Sequence, residues 1–131
     1  MRVVIDTNVL VSALWSKNNR LSQIISTVIN DKLTACYNAA IMDEYLDVLS
    51  RPKLAFHFEK SRVDEILNKI KIDGLSVVVT PSSMPFADES DRVFYDVAAA
   101  CDAYLITKNL KDFPSKTFII TPDQFLPLIE D

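Results

Sequence analysis

Residues 1–14 read MRVVIDTNVLVSAL. Val3, Val4 and Ile5 form an apolar run, then come Asp6, Thr7 and Asn8, and apolar residues resume at Val9, Leu10 and Val11. A short uninterrupted apolar run is the pattern of a strand buried on both faces. The acid and two small polar residues behind it are helix-starting types. The stretch therefore reads as a strand over residues 2–6 followed by a helix over residues 8–15, with Asp6 at the carboxyl end of the strand. In open α/β sheets ligands bind outside that end. Two roles are open to Asp6 on this reading: the floor of a site, with Thr7 and Asn8 as hydrogen-bonding neighbours, or a cap for the helix that follows.

Working outward, the same alternation continues. Residues 20–31 carry Leu21, Ile24, Ile25, Val28 and Ile29 at helical spacing. Residues 33–37 read as a second strand. Residues 38–51 read as a helix with Ile41, Tyr45, Val48 and Leu49 on one face, stopped by Pro52. Residues 60–72 form another predicted helix, ending near Gly74, the only glycine. A β-branched strand is expected over residues 75–79, closed by Thr80 and Pro81, with a loop over residues 82–87. A helix over 90–102, strands over 104–107 and 117–121, and a short helix over 123–129 complete the chain. Strands that alternate with helices predict an α/β fold: a parallel sheet of four or five strands flanked by helices, as one domain over residues 1–131.

Composition narrows the function. The chain has 131 residues, 49% hydrophobic and 24% charged, which is ordinary for a globular protein. No apolar run approaches the ~18 residues of a membrane span, and Asp6 cuts the first run too early for a signal peptide. A cytoplasmic protein with no membrane partner is expected. Cys36 and Cys101 are not in a C-x-x-C and His57 is the only histidine, so a Cys/His zinc site is disfavoured and two buried thiols are expected. The net charge of −4 does not advertise a nucleic-acid binder. It is unevenly spread: residues 1–71 carry ten Lys/Arg against eight Asp/Glu, residues 72–131 four against ten. A solvated acidic face explains this, and so does a metal-binding cluster.

Several acids fall where a cluster needs them. On the helix over 38–51, Asp43 and Asp47 face away from the apolar stripe, whereas Glu44 lies at its edge beside Val48. Asp88, Glu89 and Asp91 surround a predicted helix start, where negative charge is favoured in any case. The strand over 104–107 ends in Thr107, Lys108 and Asn109, with Asp112 three residues on. Two parallel strands that both end in small polar and acidic residues would converge several oxygens on one point. Such a set suits a hard cation, Mg²⁺ or Mn²⁺. Without a cation, three or four carboxylates in one pocket repel one another and their pKa values rise.

At this point the chain resembles the PIN-domain nucleases, and within them the VapC-like toxin group. VVIDTNVLVSAL is similar to the first motif of that family, AIMDEYLDVLSRPKL to the second, and DRVFYDVAAACDAYLITKNLKDF to the third and fourth in continuous register. VLSRPKL is similar to a subfamily of toxin components. The resemblance implies a PIN-like three-layer fold. By position it implies Asp6, Glu44, Asp91 and Asp112 as catalytic acids, and Asp6, Glu44, Asp91, Asn109 and Asp112 as ligands of Mg²⁺ or Mn²⁺. Thr7, Asn8 and Thr107 would orient them. Many relatives carry an aspartate at the position of Asn109, whose neutral amide offers one oxygen and cannot bridge two ions. Asp112 stands close by, and Asp88 rivals Asp91. The implied activity is metal-dependent endoribonucleolytic hydrolysis that leaves a 3′-hydroxyl and a 5′-phosphate. The implied substrate is single-stranded or looped RNA, with Lys17, Arg20, Arg51, Lys53 and Lys108 offered to its phosphates. A homodimer and a small antitoxin partner follow from the same kinship. His57 lies far from the motifs and is expected to pack among Phe56 and Phe58.

Rival folds fit less well. A haloacid-dehalogenase-like phosphatase needs a second aspartate two residues after Asp6, where Asn8 stands. A receiver domain needs an acceptor aspartate at the end of the third strand, which closes in Thr80 and Pro81. The remaining alternative is a PIN-fold module that binds RNA or protein without cutting, an alternative that the amide at Asn109 keeps open.

Overall fold

The computed structural model describes residues 1–16 and 18–130. The first strand, β1 (Arg2–Ile5), turns directly into α1 (Thr7–Trp15), and α2 (Ser22–Ile29) follows. Next come β2 (Thr34–Tyr37), α3 (Ala39–Leu49), α4 (Pro52–Ala55), α5 (Lys60–Asp73) and β3 (Leu75–Ser76). The chain closes with α6 (Arg92–Cys101), β4 (Tyr104–Ile106), β5 (Ile119–Ile120) and α7 (Pro122–Phe125). Short 3₁₀ turns at Glu89–Asp91, Leu110–Asp112 and Leu126–Leu128 join or extend these elements.

The five strands form one parallel sheet in the order β3-β2-β1-β4-β5. β1 is central because Val3, Val4 and Ile5 have no polar face to show, and all three are buried. Its register sets Ile5 beside Ile106. From β1 the chain winds outward to β2 and β3, then returns across the sheet to β4 on the other side of β1. The carboxyl ends of β1 and β4 therefore flank the point where the winding reverses, which is where such sheets open a crevice. α6 packs across β1, β2 and β4, while α5 packs on β2 and α2. No helix among the described residues is long and apolar enough to cross a membrane.

The expected α/β architecture is the observed one, with local differences. The strand expected over 75–79 stops at Ser76: it lies at the sheet edge, and after Val77 N–H donates to Tyr37 O (3.1 Å) the chain leaves, with Val78 fully exposed. Pro52 does not merely stop α3. It opens α4 at the first helical position, where its missing N–H costs nothing. α6 is preceded by a 3₁₀ turn rather than beginning at Ser90. Cys36 and Cys101 are both buried free thiols, as expected. Burial and the neighbouring Cys101 push the Cys36 thiol up to about 12.

Candidate active site

Asp6 occupies the position that precedes α1, yet its carboxylate makes no capping bond. Its backbone carbonyl accepts from Val9 and Leu10 N–H instead (3.0 and 3.1 Å). The side chain points across the sheet, where Thr107 Oγ1 donates to Asp6 Oδ2 at 2.7 Å. The two readings left open by the sequence are thereby separated: the backbone starts the helix and the carboxylate faces the crevice. Thr107 is fully buried, and its oxygen also accepts from Asn109 N–H (3.1 Å). One hydroxyl so links the end of β1 to the chain leaving β4. Burial raises the Asp6 pKa above its ordinary value, against the lowering bonds from Thr107 and the Thr7 amide.

Glu44 arrives from α3. That helix is capped by Asn38, whose side chain accepts from Ile41 N–H (3.0 Å), and is tethered by the buried Tyr45, whose hydroxyl donates to Ile5 O at the end of β1. The tether places the neighbouring Glu44 at the crevice, where Thr7 Oγ1 donates to Glu44 Oε2. Thr7 and Thr107 thus each hold one carboxylate.

Asp88 and Asp91, one turn apart, behave differently. Asp88 Oδ1 accepts from Ser90 N–H (3.0 Å) and Ser90 Oγ (2.8 Å), so it caps the turn and its pKa is lowered. Asp91 makes no capping bond. It is half-buried, and its pKa is pushed up to about 6, first by burial and then by the charges of Asp6, Asp88, Asp112 and Glu44. The start of α6 favours a negative charge, but not enough to cancel this repulsion.

These side chains share one cavity of about 500 Å³, lined by Asp6, Thr7, Asn8, Glu44, Asp88, Ser90, Asp91, Asn109 and Asp112, with Val11, Val48, Arg51 and Leu54 as its remaining wall. The residues come from four separate segments. Among the described residues no three His, Cys, Asp or Glu side chains converge tightly enough to hold an ion as they stand. The donor chemistry nevertheless suits a hard cation: the cavity gathers carboxylate and amide oxygens, and the repulsion that lifts Asp91 is what a divalent ion relieves.

The cations offered to RNA are dispersed. Arg51 lines the cavity and is paired with Asp47 (3.0 Å). Arg20 pairs with Asp123 (3.0 Å) and Glu130 (3.6 Å), and Lys108 Nζ donates to Ser12 Oγ. Neither lines the cavity. Lys53 is exposed on α4, and Lys17 lies outside the described residues. His57 is exposed and does not pack between Phe56 and Phe58: its ring stacks on Trp15 and lies beside Phe56.

Sequence reading missed two supports. Tyr45 looked like one apolar residue among several on α3. Arg92 was not singled out, yet its guanidinium donates to Ser82 O (2.7 Å), Met84 O (2.5 Å) and Glu89, and lies 4.8 Å from the Phe86 ring centroid. It fastens the long segment that leads to Asp88 and Asp91. Only its position next to Asp91 hinted at this.

A family model described as a PIN domain matches residues 2–111. An uncharacterised protein of Methanocaldococcus jannaschii is 30% identical over 110 residues, which span 82% of this chain and 70% of that protein.

Proposed function

The chain belongs to the PIN-domain family, a nuclease-type fold, and on that premise we propose that it is a divalent-metal-dependent endoribonuclease. The carrying observation is the meeting of Asp6, Glu44, Asp91 and Asp112, with Asn109, around one cavity at the carboxyl ends of β1 and β4. Asp6, Glu44, Asp91, Asn109 and Asp112 would hold Mg²⁺ or Mn²⁺. When bound, such a cation supplies a Lewis acid for the scissile phosphate and lowers the pKa of water.

The chain's own residues do the rest. Thr107 holds the Asp6 carboxylate in one orientation, and Thr7 holds Glu44. Tyr45 fixes α3 to the end of β1, so that Glu44 cannot drift from Asp6. Asp91, whose carboxyl burial and the neighbouring acids push up to about 6 in the metal-free site, is the group whose charge a bound cation would relieve most. Arg51 at the rim would meet a phosphate. The substrate on this reading is single-stranded or looped RNA. Within it the chain is the toxin of a toxin–antitoxin pair, on the strength of the VLSRPKL resemblance, and forms a homodimer, on the strength of the wider family kinship. Growth arrest on expression and capture of a small protein partner would support that role. Unhindered growth with no partner would remove it.

The neutral amide of Asn109 and the spacing of the acids favour one second reading, a PIN-fold module that binds without cutting. Turnover separates the two. Purified protein is given a labelled single-stranded RNA with Mg²⁺, with Mn²⁺ and with EDTA, beside Asp6→Asn. Metal-dependent cutting that the variant loses supports the nuclease. Equal cutting by both variants identifies a contaminant, and RNA bound but uncut under either ion supports the binding module.

A further inference from the structure

Three aromatic rings stand together on the surface beside the acid cavity. His57 stacks on Trp15 with centroids 4.4 Å apart and 26° between planes, and Phe56 lies against His57 at 4.2 Å and 41°. The order is a ladder, Trp15–His57–Phe56. The core does not need it: Trp15 remains 47% exposed and Phe56 79%. Only Phe58 turns inward, meeting the Trp15 ring edge-on at 5.9 Å. A solvent-facing aromatic ladder gives up burial that hydrophobic side chains ordinarily take, so it invites a search for what stacks on it.

Its position indicates the occupant. Trp15 ends α1, the helix whose first turns carry Thr7, Asn8 and Val11 along the cavity wall. At ~1.5 Å rise per residue, Trp15 stands roughly 12 Å from Thr7 along that helix. A second depression of about 350 Å³ begins at the shared residue Val11 and runs past Ser12 to Trp15 and Leu21. On the other side, Phe56 and His57 follow α4, where Leu54 and the preceding Arg51 also line the acid cavity. The path out of the cavity thus leads onto the rings from both walls. Each wall carries a cation: Arg51 lines the acid cavity beside Leu54, and Lys108 reaches Ser12 on α1, which lines the second depression.

Exposed rings beside dispersed cations match a single strand, whose bases stack while its phosphates meet Lys and Arg. We propose that the Trp15–His57–Phe56 ladder is a base-stacking subsite that holds single-stranded RNA on its way out of the acid cavity. The proposal rests on the ribonuclease reading and adds to it a contact made by bases rather than phosphates. Such a contact tolerates every base, because each has a π-face. It excludes duplex, whose bases are already stacked.

Trp15 is the only tryptophan, so its emission reports on this subsite directly. Asp6→Asn with Mg²⁺ keeps the strand intact while a short oligouridylate, its abasic counterpart of equal charge and an RNA duplex are titrated. The oligouridylate is expected to quench Trp15, and the other two to leave it nearly unchanged. Phe56→Ala, at a side chain too exposed to support the core, is expected to weaken oligouridylate binding about 10-fold without lowering the melting temperature. Equal quenching by the abasic strand, or unchanged affinity in Phe56→Ala, overturns the subsite. Failure of the parent reading looks different. Wild type that cuts RNA while Trp15 stays silent removes only the subsite. Quenching without cutting under either ion removes the nuclease and leaves the subsite standing.

Discussion

Asp91→Asn is expected to make the metal-free protein more stable while removing its activity. The side chain makes no capping bond, so the amide replaces it without forfeiting a hydrogen bond at the helix start. What it removes is a charge that burial and four neighbouring carboxylates disfavour, lifting the pKa from 3.8 to about 6. The sign follows from linkage. Below pH 3.8 the carboxyl is protonated whether the chain is folded or not. Between 3.8 and 6 the unfolded chain loses its proton first, so stability falls as pH rises and stays low above 6. The whole shift corresponds to a ceiling of about 3 kcal/mol. Solvent reaches this half-buried group and screens it, which leaves about 1 kcal/mol. For a domain of this size that is a rise of roughly 4 °C in melting temperature. Thermal melts in EDTA at pH 7.5 and below pH 4 provide the assay. Asp91→Asn should melt higher at pH 7.5 and match wild type in acid, and added Mg²⁺ should stabilise wild type more. A variant that is less stable at pH 7.5, or shifted equally at both pH values, would refute the idea that repulsion among these acids governs the site.

Four further perturbations test the framework. Thr107→Val leaves Asp6 without its buried donor, costing about 1–2 kcal/mol in denaturant melts; because the lost bond favoured the ionised acid, the acid limb of the pH–rate profile should move to higher pH. Arg92→Ala releases Ser82 and Met84 from their clamp, and limited proteolysis should then nick residues 77–88 faster than in wild type. Gly74→Ala would put a Cβ 2.2 Å from Ile70 O and 2.7 Å from Ala35 O, both backbone atoms, so equilibrium unfolding should show a loss of at least about 2 kcal/mol. Cleavage of RNA should weaken steeply with added salt, since phosphate contacts release counterions; a flat response in a salt titration would argue against such contacts.

The sheet could be read from sequence because its central strands announce themselves. Val3–Ile5 and Leu105–Ile106 are apolar on both faces, and the helices between carry their stripes at regular spacing. Errors arose where a residue's role depends on a distant partner or on the absence of one. Val77 to Val79 have strand-forming side chains, but at the sheet edge no neighbour takes their backbone groups beyond Val77. Pro52 ends one helix and begins another, and only the turn at Arg51 distinguishes the two. The acids at 6, 88, 91 and 112 fell near helix starts and strand ends and Glu44 at the edge of a helix's apolar stripe, places a sequence can show, and all five line one cavity. What each does locally was not legible. Asp6 is freed from capping by Thr107, which is remote in the chain, while Asp88 is committed to capping by its neighbour Ser90. His57 was assigned to Phe56 and Phe58; it does lie against Phe56, but it stacks on Trp15 of α1, remote in the chain.

The strand order β3-β2-β1-β4-β5 also has a consequence in time. Asp6 leaves the ribosome ahead of Thr107 and must wait for it, about a hundred residues behind. At ~5–20 residues per second that delay is roughly 5–20 s. During it β1 can pair with β2 but has nothing on its other side, and the carboxylate that later lies buried remains in water. A ribosome stalled before β4 would therefore carry a chain with most of its helices made and no crevice. On the nuclease reading, the cell would meet the activity only when the last wall of the site is laid down.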